Sequence, residues 1–167
     1  MYRFSTGFAY FITKVVTRFA GLFERDLAAH GITLPMYRVL AGLWEKGDQQ
    51  LGELGAMTSI EPSTLSRLIG TMKRNGFVSR ARVESDERSI RLNLTAKGRA
   101  LAPKLMAIAA RYEDFAVQVL GEDEMAAVRR NLTTIYEHLE QLERAVDGSP
   151  SPSRRREPRT RRSTRSA

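Results

Sequence analysis

The sequence contains no cysteine, and His30 and His138 are the only two histidines among its 167 residues. Without cysteine a chain can form neither a disulfide nor a thiolate metal site, and it cannot sense oxidants through a thiol. Two histidines so far apart also argue against a histidine-rich metal site. The apolar runs are shorter than the ~20 residues needed to span a membrane. We therefore expect a cytoplasmic protein without metal, cofactor or membrane partner.

The N-terminal segment is apolar, but Lys14 and Arg18 interrupt it. A signal peptide carries an uninterrupted apolar stretch followed by a cleavage site of small residues, and neither is evident here. The segment is therefore predicted to be a helix of the mature protein. Its apolar residues recur at helical spacing over residues 4–29, and Gly31 ends the pattern at a position typical of a helix C-terminus.

The net charge of +8 is concentrated in two segments. Residues 61–99 carry nine Lys and Arg against four acids, and residues 149–167 carry seven Arg against Glu157. Such clustering favours a polyanionic partner, most simply nucleic acid. For the tail alone, a role in keeping the protein soluble is about equally consistent with its composition. The tail is rich in Ser, Pro and Arg with almost nothing apolar, so it is predicted to be disordered.

Residues 33–95 are predicted to form three helices and a hairpin. Thr33 is a natural N-cap for a helix that stops near Gly47. Two short helices, 49–57 and 63–75, flank a turn, and strands at 77–83 and 89–94 flank the polar stretch 84–88. The helix 63–75 has one apolar stripe, which consists of Leu65, Leu68, Ile69 and Met72.

Two long helices are predicted after Thr95, with Gly121 as the break between them. In the second, apolar residues from Met125 to Val146 alternate in steps of 3 and 4, which is typical of a coiled-coil seam over about three heptads. This helix could instead pack inside its own monomer. A chain of this size, however, has few other helices that could cover the apolar seams of both long helices. The pattern therefore favours a homodimer.

A pair of short helices followed by a basic hairpin is the arrangement of a winged helix-turn-helix. The major groove is about 12 Å wide and admits one helix, whose small polar and Arg side chains can meet base edges and phosphates. The hairpin can reach the flanking backbone or the minor groove, where an inserted Arg is attracted. The candidate helix residues are Ser63, Thr64, Ser66, Arg67, Thr71 and Arg74, and the candidate hairpin residues are Arg82, Arg88 and Arg91.

Three segments carry a resemblance to a known family. They are LAAHGITLPMYRVLAGL (27–43), LGELGAMTSIEPSTLSRLIGTMKRNGFVSR (51–80) and SDERSIRLNLTAKG (85–98), the last with a D-x-R motif followed by L-T-x-x-G. Over residues 8 to about 146 the chain resembles the MarR family of bacterial transcriptional regulators. The resemblance implies a mainly α (α+β) fold, a winged helix-turn-helix with N- and C-terminal dimerisation helices. The regulator would span 1–148, with dimerisation helices at 4–29 and 96–146, a DNA-binding part at 33–95, and the tail 149–167 outside the family pattern.

The same resemblance implies a function. Members bind pseudo-palindromic double-stranded DNA as obligate homodimers, usually as repressors. Carried onto this sequence, Arg88 would enter the minor groove, and Asp86 would hold an Arg side chain and shape the wing tip. Recognition-helix contacts would fall on Ser63, Thr64, Ser66 and Arg67.

Many members of the family also bind a small effector, often an aromatic acid or a phenol. The cleft that would hold it lies between the dimerisation helices and the winged domain. In this chain the candidate lining is Phe8, Phe11, Phe19, His30, Tyr37 and Arg38. The simpler interpretation of each aromatic residue is that it packs in the core.

Two other classes of function compete with this one. An enzyme is not expected, because the sequence offers no nucleophile with a base and no phosphate-binding loop. A sequence-tolerant architectural nucleic-acid-binding protein, driven by the basic tail, is the main alternative. Such a protein would lose affinity steeply with salt and show little preference between sequences.

Overall fold

The elements of the chain follow in the order predicted for a winged helix-turn-helix. A computed structural model describes residues 3–83 and 86–147, with the backbone alone at 82, 83, 86–89 and 147. The described part contains a short 3₁₀ turn at Phe4–Thr6, six α-helices and a three-stranded sheet. The helices are α1 (Phe8–Ala28), α2 (Leu34–Lys46), α3 (Leu51–Thr58), α4 (Pro62–Arg74), α5 (Ala96–Leu120) and α6 (Glu122–Asp147), and the strands are β1 (Gln49–Gln50), β2 (Val78–Val83) and β3 (Asp86–Leu94).

Several predicted boundaries are confirmed by local hydrogen bonds. The Thr33 hydroxyl accepts from the Met36 amide at 3.5 Å, as an N-cap does, and α2 begins at the next residue. Thr95 caps α5 in the same way, since its hydroxyl accepts from the Gly98 amide at 3.1 Å. Gly121 separates α5 from α6 with a φ of +84°, in the left-handed region where glycine is favoured.

Strand β1 was not predicted, because Gln49 and Gln50 were assigned to a helix. The two residues instead pair antiparallel with Leu92 and Arg91 of β3. Gln49 is buried, and its amide nitrogen donates to the Gly42 carbonyl at 2.9 Å. Helix α3 therefore begins only at Leu51, after a capping box between Gln50 and Glu53.

Strand β3 begins earlier than predicted, at Asp86 rather than Ser89. Val83 pairs with Asp86, whereas its neighbour in β2, Arg82, pairs with Ile90. The register of the two strands is therefore irregular between Arg82 and Val83. The sheet order is β1-β3-β2. The backbone of Asp86 and Arg88 thus lies in the strand, because ladder pairing uses backbone groups and does not require apolar alternation. Residues 84 and 85 of the predicted tip, and the tail from 148, lie outside the described residues.

One hydrophobic core holds the helix-turn-helix between α1, α2 and α5. The largest fully buried side chains are Phe23, Leu27, Val39, Leu40, Leu54, Leu65, Ile69, Met72, Val78, Leu92 and Leu105. Each such side chain contributes about 1.5–3 kcal/mol relative to exposure. Leu105 and Ile108 of α5 belong to this core. The N-terminal half of α5, which was predicted to be a dimerisation seam, therefore packs within its own chain.

The L-T-x-x-G motif joins the hairpin to α4 and α5. The Thr95 hydroxyl donates to the Gly76 carbonyl at 2.6 Å, just past the end of α4. The Lys97 ammonium donates to the Asn75 carbonyl at 2.9 Å and lies 4.6 Å from the centre of the Phe77 ring. The base of the hairpin is therefore tied to the end of α4 and to the start of α5.

The chain divides into two units between Ala116 and Val117. In the second unit, α6 begins with Glu122, Asp123 and Glu124, whose charges suit the positive end of a helix dipole. Its apolar residues are exposed, in contrast to those of the first half of α5. They are Val128, Leu132, Ile135, Leu139, Leu142 and Val146, with 36–65% of each residue accessible. Across the described residues, no helix combines the length and the hydropathy that crossing a membrane requires.

Candidate nucleic-acid interface

Helix α4 presents a polar face because its opposite face is buried. Leu65, Ile69 and Met72 are completely inaccessible, and Leu68 is half-buried. At 100° per residue, the predicted contact residues fall on the outward side, with Ser66 at its edge. Ser63, Thr64, Ser66, Arg67 and Arg74 are exposed and Thr71 is half-buried. The structure therefore brings together the six residues predicted on this helix.

Two arginines lie along the exposed face of α4. The Arg67 guanidinium donates to the Ser63 carbonyl at 3.4 Å and to the Ser63 hydroxyl at 3.5 Å. About two turns further on, Arg74 donates to the Thr71 hydroxyl at 3.0 Å. Within the part of the chain that the structure describes, neither guanidinium forms an ion pair with a carboxylate. Both retain donors for phosphate oxygens or base edges.

Glu61 caps the N-terminus of α4 and was missed by the sequence analysis. Its carboxylate accepts from the Ser63 and Thr64 amides, both at 3.0 Å, and from the Ser63 hydroxyl. The Ser63 hydroxyl bond, followed by these two amide bonds, lowers the pKa of Glu61 to about 2. One signal was present in the sequence, since Pro62 is favoured at the first helical position and so marks residue 61 as the N-cap.

Arg91 is oriented differently from the arginines of α4. Its guanidinium lies 3.6 Å from the Asp48 carboxylate and donates to the Asp48 carbonyl at 3.3 Å. An ion pair this exposed is worth at most about 1 kcal/mol, so a phosphate could displace it. In the predicted DNA-binding role of Arg91, a phosphate would thus compete with Asp48 for the guanidinium. The side chains of Arg82, Asp86 and Arg88 lie outside the description, and their roles stay predictions.

The six residues predicted to line an effector cleft do not come together. Tyr37 and Arg38 line a hollow of about 360 Å³, together with Ala41, Gly42, Met57, Thr58 and Ser59. Phe8 and Phe11 are more than half exposed on α1, and His30 is exposed beyond its end. The part that these six residues play in effector binding therefore stays a prediction.

Phe19 contacts an aromatic cluster, although it is 44% exposed and lies outside the hydrophobic core. Its ring centre lies 5.8 Å from that of Phe23 and 5.2 Å from that of Tyr112, and Phe23 lies 4.8 Å from Tyr37. Partial burial raises the pKa of Tyr37. Of the predicted effector residues, Tyr37 alone belongs to both this cluster and the hollow. No cluster of acids and histidines able to hold a metal ion occurs among the described residues.

Comparisons with known proteins agree with this architecture. The family model of the SarA/Rot transcriptional regulators matches residues 21–105. The organic hydroperoxide resistance transcriptional regulator of Bacillus subtilis is 32% identical over 110 residues, which cover 66% of this chain and 74% of that protein. The regulator TtmR of Methylorubrum extorquens is 32% identical over 121 residues, or 72% of this chain, but the match spans only 61% of TtmR.

Solved structures give the same result. A MarR family regulator from Silicibacter pomeroyi superposes with a TM-score of 0.72 at 27% identity, over 83% of this chain and 99% of that one. The repressor CouR, solved on a 23-mer DNA duplex, also gives a TM-score of 0.72 at 27% identity, over 79% and 94%. The chain therefore belongs to the MarR-type winged helix-turn-helix family. It is a DNA-binding transcriptional regulator, and the proteins it matches are regulators rather than enzymes.

Proposed function

We propose that the protein is a repressor that binds a pseudo-palindromic operator as a homodimer and is released by a small aromatic acid. The observation that carries the DNA-binding part is the outward face of α4. Arg67 and Arg74 lie there among small hydroxyl side chains, over a stripe that is buried in the core. A helix of this kind reads base edges, while the basic hairpin beside it contacts the flanking backbone or the minor groove.

The exposed apolar residues of two helices support a homodimer. On α6 the seam from Val128 to Val146 is at least a third exposed at each apolar position. On α1 the exposed apolar residues include Phe11, Val15 and Val16, at 53–66%. Large apolar residues that are exposed repeatedly along a helix indicate an interaction site. A two-fold dimer would present two copies of α4 to successive major grooves, which matches a pseudo-palindromic site.

The hollow beside α2 supports the effector part of the proposal. Arg38 can form a bidentate pair with a carboxylate, while Tyr37 and Met57 supply an apolar wall. Ser59, on the rim, lies in the turn that leads into α4 and has a φ of +52°. A ligand in this hollow would contact the segment that positions the recognition helix. Such a contact gives the ligand a different affinity for the bound and free states of the regulator, as release from DNA requires.

The test begins with the DNA. We expect the full chain to select one pseudo-palindromic sequence from a random duplex library, and to protect a matching site in DNA that flanks its own gene. Sedimentation of the complex should give two chains per duplex. Transcription from a promoter that carries the site should fall when the protein is added. Selection of no sequence, or one chain per duplex, would contradict the proposal.

Truncation after Gly148 separates this function from the architectural alternative. The tail carries seven Arg and should add sequence-independent affinity through counterion release. The truncated chain should keep its preferred sequence and show a shallower dependence of log K on log salt. Loss of the sequence preference on truncation would favour a binding protein driven by its tail.

A further inference from the structure

Glu61 is an acid in the most basic part of the folded chain. Between residues 61 and 83 the sequence has five Lys and Arg and no acid other than Glu61. The Glu61 carboxylate lies at the N-terminal end of α4, beside Ser63 and Thr64, where the recognition helix is expected to meet DNA. A cap needs no negative charge, since Ser, Thr or Asn would serve equally well. Capping alone therefore does not explain why the residue at this position is an acid.

We propose that Glu61 is a specificity-determining residue, which weakens the contact of α4 with DNA phosphates in general and so favours binding that depends on the base sequence. The inference rests on the docking of α4 proposed above. Free backbone amides at a helix N-terminus can bind phosphate, and such a contact carries no sequence information. In this chain the carboxylate occupies the Ser63 and Thr64 amides. Its pKa of about 2 keeps it ionised at neutral pH, where it repels a phosphate.

Ser63 extends the effect of Glu61 to Arg67. The Ser63 hydroxyl donates to Glu61 and accepts from the Arg67 guanidinium at 3.5 Å. A second bond, from the Arg67 side chain to the Ser63 carbonyl at 3.4 Å, holds the same guanidinium along the helix face. An arginine held in this way is less free to swing towards a neighbouring phosphate. It is also better prepared for the bidentate contact with guanine that arginine makes in the major groove.

A cap that was merely structural would behave differently. Removal of such a cap destabilises α4 and weakens binding to every duplex by the same factor. Removal of a specificity determinant changes the ratio between duplexes. Three substitutions separate the two cases: Glu61→Gln removes the charge, Glu61→Ser also removes it but keeps a good capping hydroxyl, and Glu61→Asp keeps both charge and cap. Glu124→Gln, in the first turn of α6, makes the same change of net charge outside the DNA-binding part.

The experiment is a fluorescence-anisotropy titration of the full chain at fixed salt. The probes are the duplex selected by the parent and a scrambled duplex of the same composition. For Glu61→Gln and Glu61→Ser we expect affinity for the scrambled duplex to rise by about threefold to tenfold, as removal of one repulsive charge allows. Affinity for the selected duplex should change less, so the ratio falls. Glu61→Asp and Glu124→Gln should keep the parent ratio, and melting curves should show that all four variants are folded.

Two results would overturn the proposal. If both charge-removing variants keep the parent ratio, or weaken both duplexes equally, Glu61 acts only as a cap. Arg67→Ala, titrated alongside, shows whether α4 docks at all. If Arg67→Ala loses the selected duplex while Glu61→Gln keeps its ratio, only the role of Glu61 fails. If Arg67→Ala binds like the parent, the docking of α4 fails, and the role of Glu61 fails with it.

Discussion

Gly98 approaches the backbone of Phe77 so closely that a Cβ atom at position 98 would lie 2.2 Å from the Phe77 carbonyl oxygen. This contact joins the first turn of α5 to the residue that precedes β2. The obstacle is backbone rather than a flexible side chain, so it cannot move aside locally. The glycine of the L-T-x-x-G motif thus permits the hairpin to be anchored directly on α5.

Gly98→Ala should therefore destabilise the fold, although alanine is normally the better helix former. We expect the free energy of unfolding to fall by about 1–3 kcal/mol, the usual effect of overpacking. Chemical denaturation followed by circular dichroism measures it. Gly21→Ala in α1 is the matched control, because its added Cβ meets nothing within 4 Å. Equal stability of the two variants would show that the close contact is not maintained in solution.

The apolar seam of α6 gives a prediction about assembly. Leu132→Asp combined with Leu139→Asp would place two charges in the proposed dimer interface, where each unpaired charge costs several kcal/mol. Sedimentation should show loss of the dimer or loss of folding. Thr134→Asp with Gln141→Asp adds the same charge on the opposite side of the helix and should stay dimeric. A Leu132/Leu139 variant that remains dimeric and equally stable would remove α6 from the interface.

Glu61 makes part of the stability depend on pH. Its pKa is about 2, below the ordinary 4.5, so the hydrogen bonds of the ionised form stabilise α4 fully above about pH 4.5. This contribution is lost as the pH falls from about 4.5 through about 2. Glu61→Gln should thus melt at a lower temperature than the parent at pH 7, and the difference should narrow by pH 3. If the difference in melting temperature is the same at pH 7 and pH 3, the ionised form of Glu61 does not stabilise α4. Glu124→Gln is the control for the change in net charge.

The D-x-R motif gives a prediction for the wing. If Arg88 belongs to the polar wing that the sequence predicts, Arg88→Ala should leave the melting temperature nearly unchanged, because substitutions at exposed positions usually alter stability by no more than ~0.5 kcal/mol. It should weaken binding to the selected duplex, most strongly where the flanking minor groove is A·T-rich. Asp86→Ala should reduce the affinity less than Arg88→Ala does, since the family resemblance implies that Asp86 acts indirectly by shaping the tip. Anisotropy titrations at fixed salt compare both, with Arg130→Ala in α6 as control. Unchanged binding by Arg88→Ala would leave the wing without a part in recognition.

The helices of the DNA-binding part could be predicted from sequence because their apolar residues recur with the period of the helix. The stripe from Leu65 to Met72 defined both α4 and its outward face. Strand β1 could not be predicted in this way, since two residues carry no periodicity. Its partners, Leu92 and Arg91, lie some forty residues away. Backbone pairing likewise makes β3 begin at Asp86. The first residues of the strand are polar and do not follow the alternation of apolar and polar residues by which the strand was predicted.

Other features could not be predicted because a sequence pattern does not say which surface a helix face packs against. The apolar spacing of α5 runs from Leu101 to Val119, but Leu105 is completely buried and Val119 is 64% exposed. The spacing of apolar residues alone cannot distinguish a helix face that packs within its own chain from one that remains exposed. The role of Glu61 was missed for a similar reason, because an acid before a proline fits a turn as well as a cap. The set proposed for the effector joined aromatic residues by type alone. Phe8 and Phe11 are exposed on α1, whereas Tyr37 and Arg38 line the hollow, so the set stays a prediction.

The central claim is that α4 recognises a DNA sequence through its exposed face, and Arg67→Ala tests it most directly. The measurement is an anisotropy titration of this variant against the selected and scrambled duplexes at one salt concentration, with Arg130→Ala as the matched loss of one arginine. We expect Arg67→Ala to bind the selected duplex more weakly by about 1–3 kcal/mol and to lose much of its preference over the scrambled duplex, while its melting temperature is unchanged. If Arg67→Ala binds both duplexes as Arg130→Ala does, the outward face of α4 does not read the DNA.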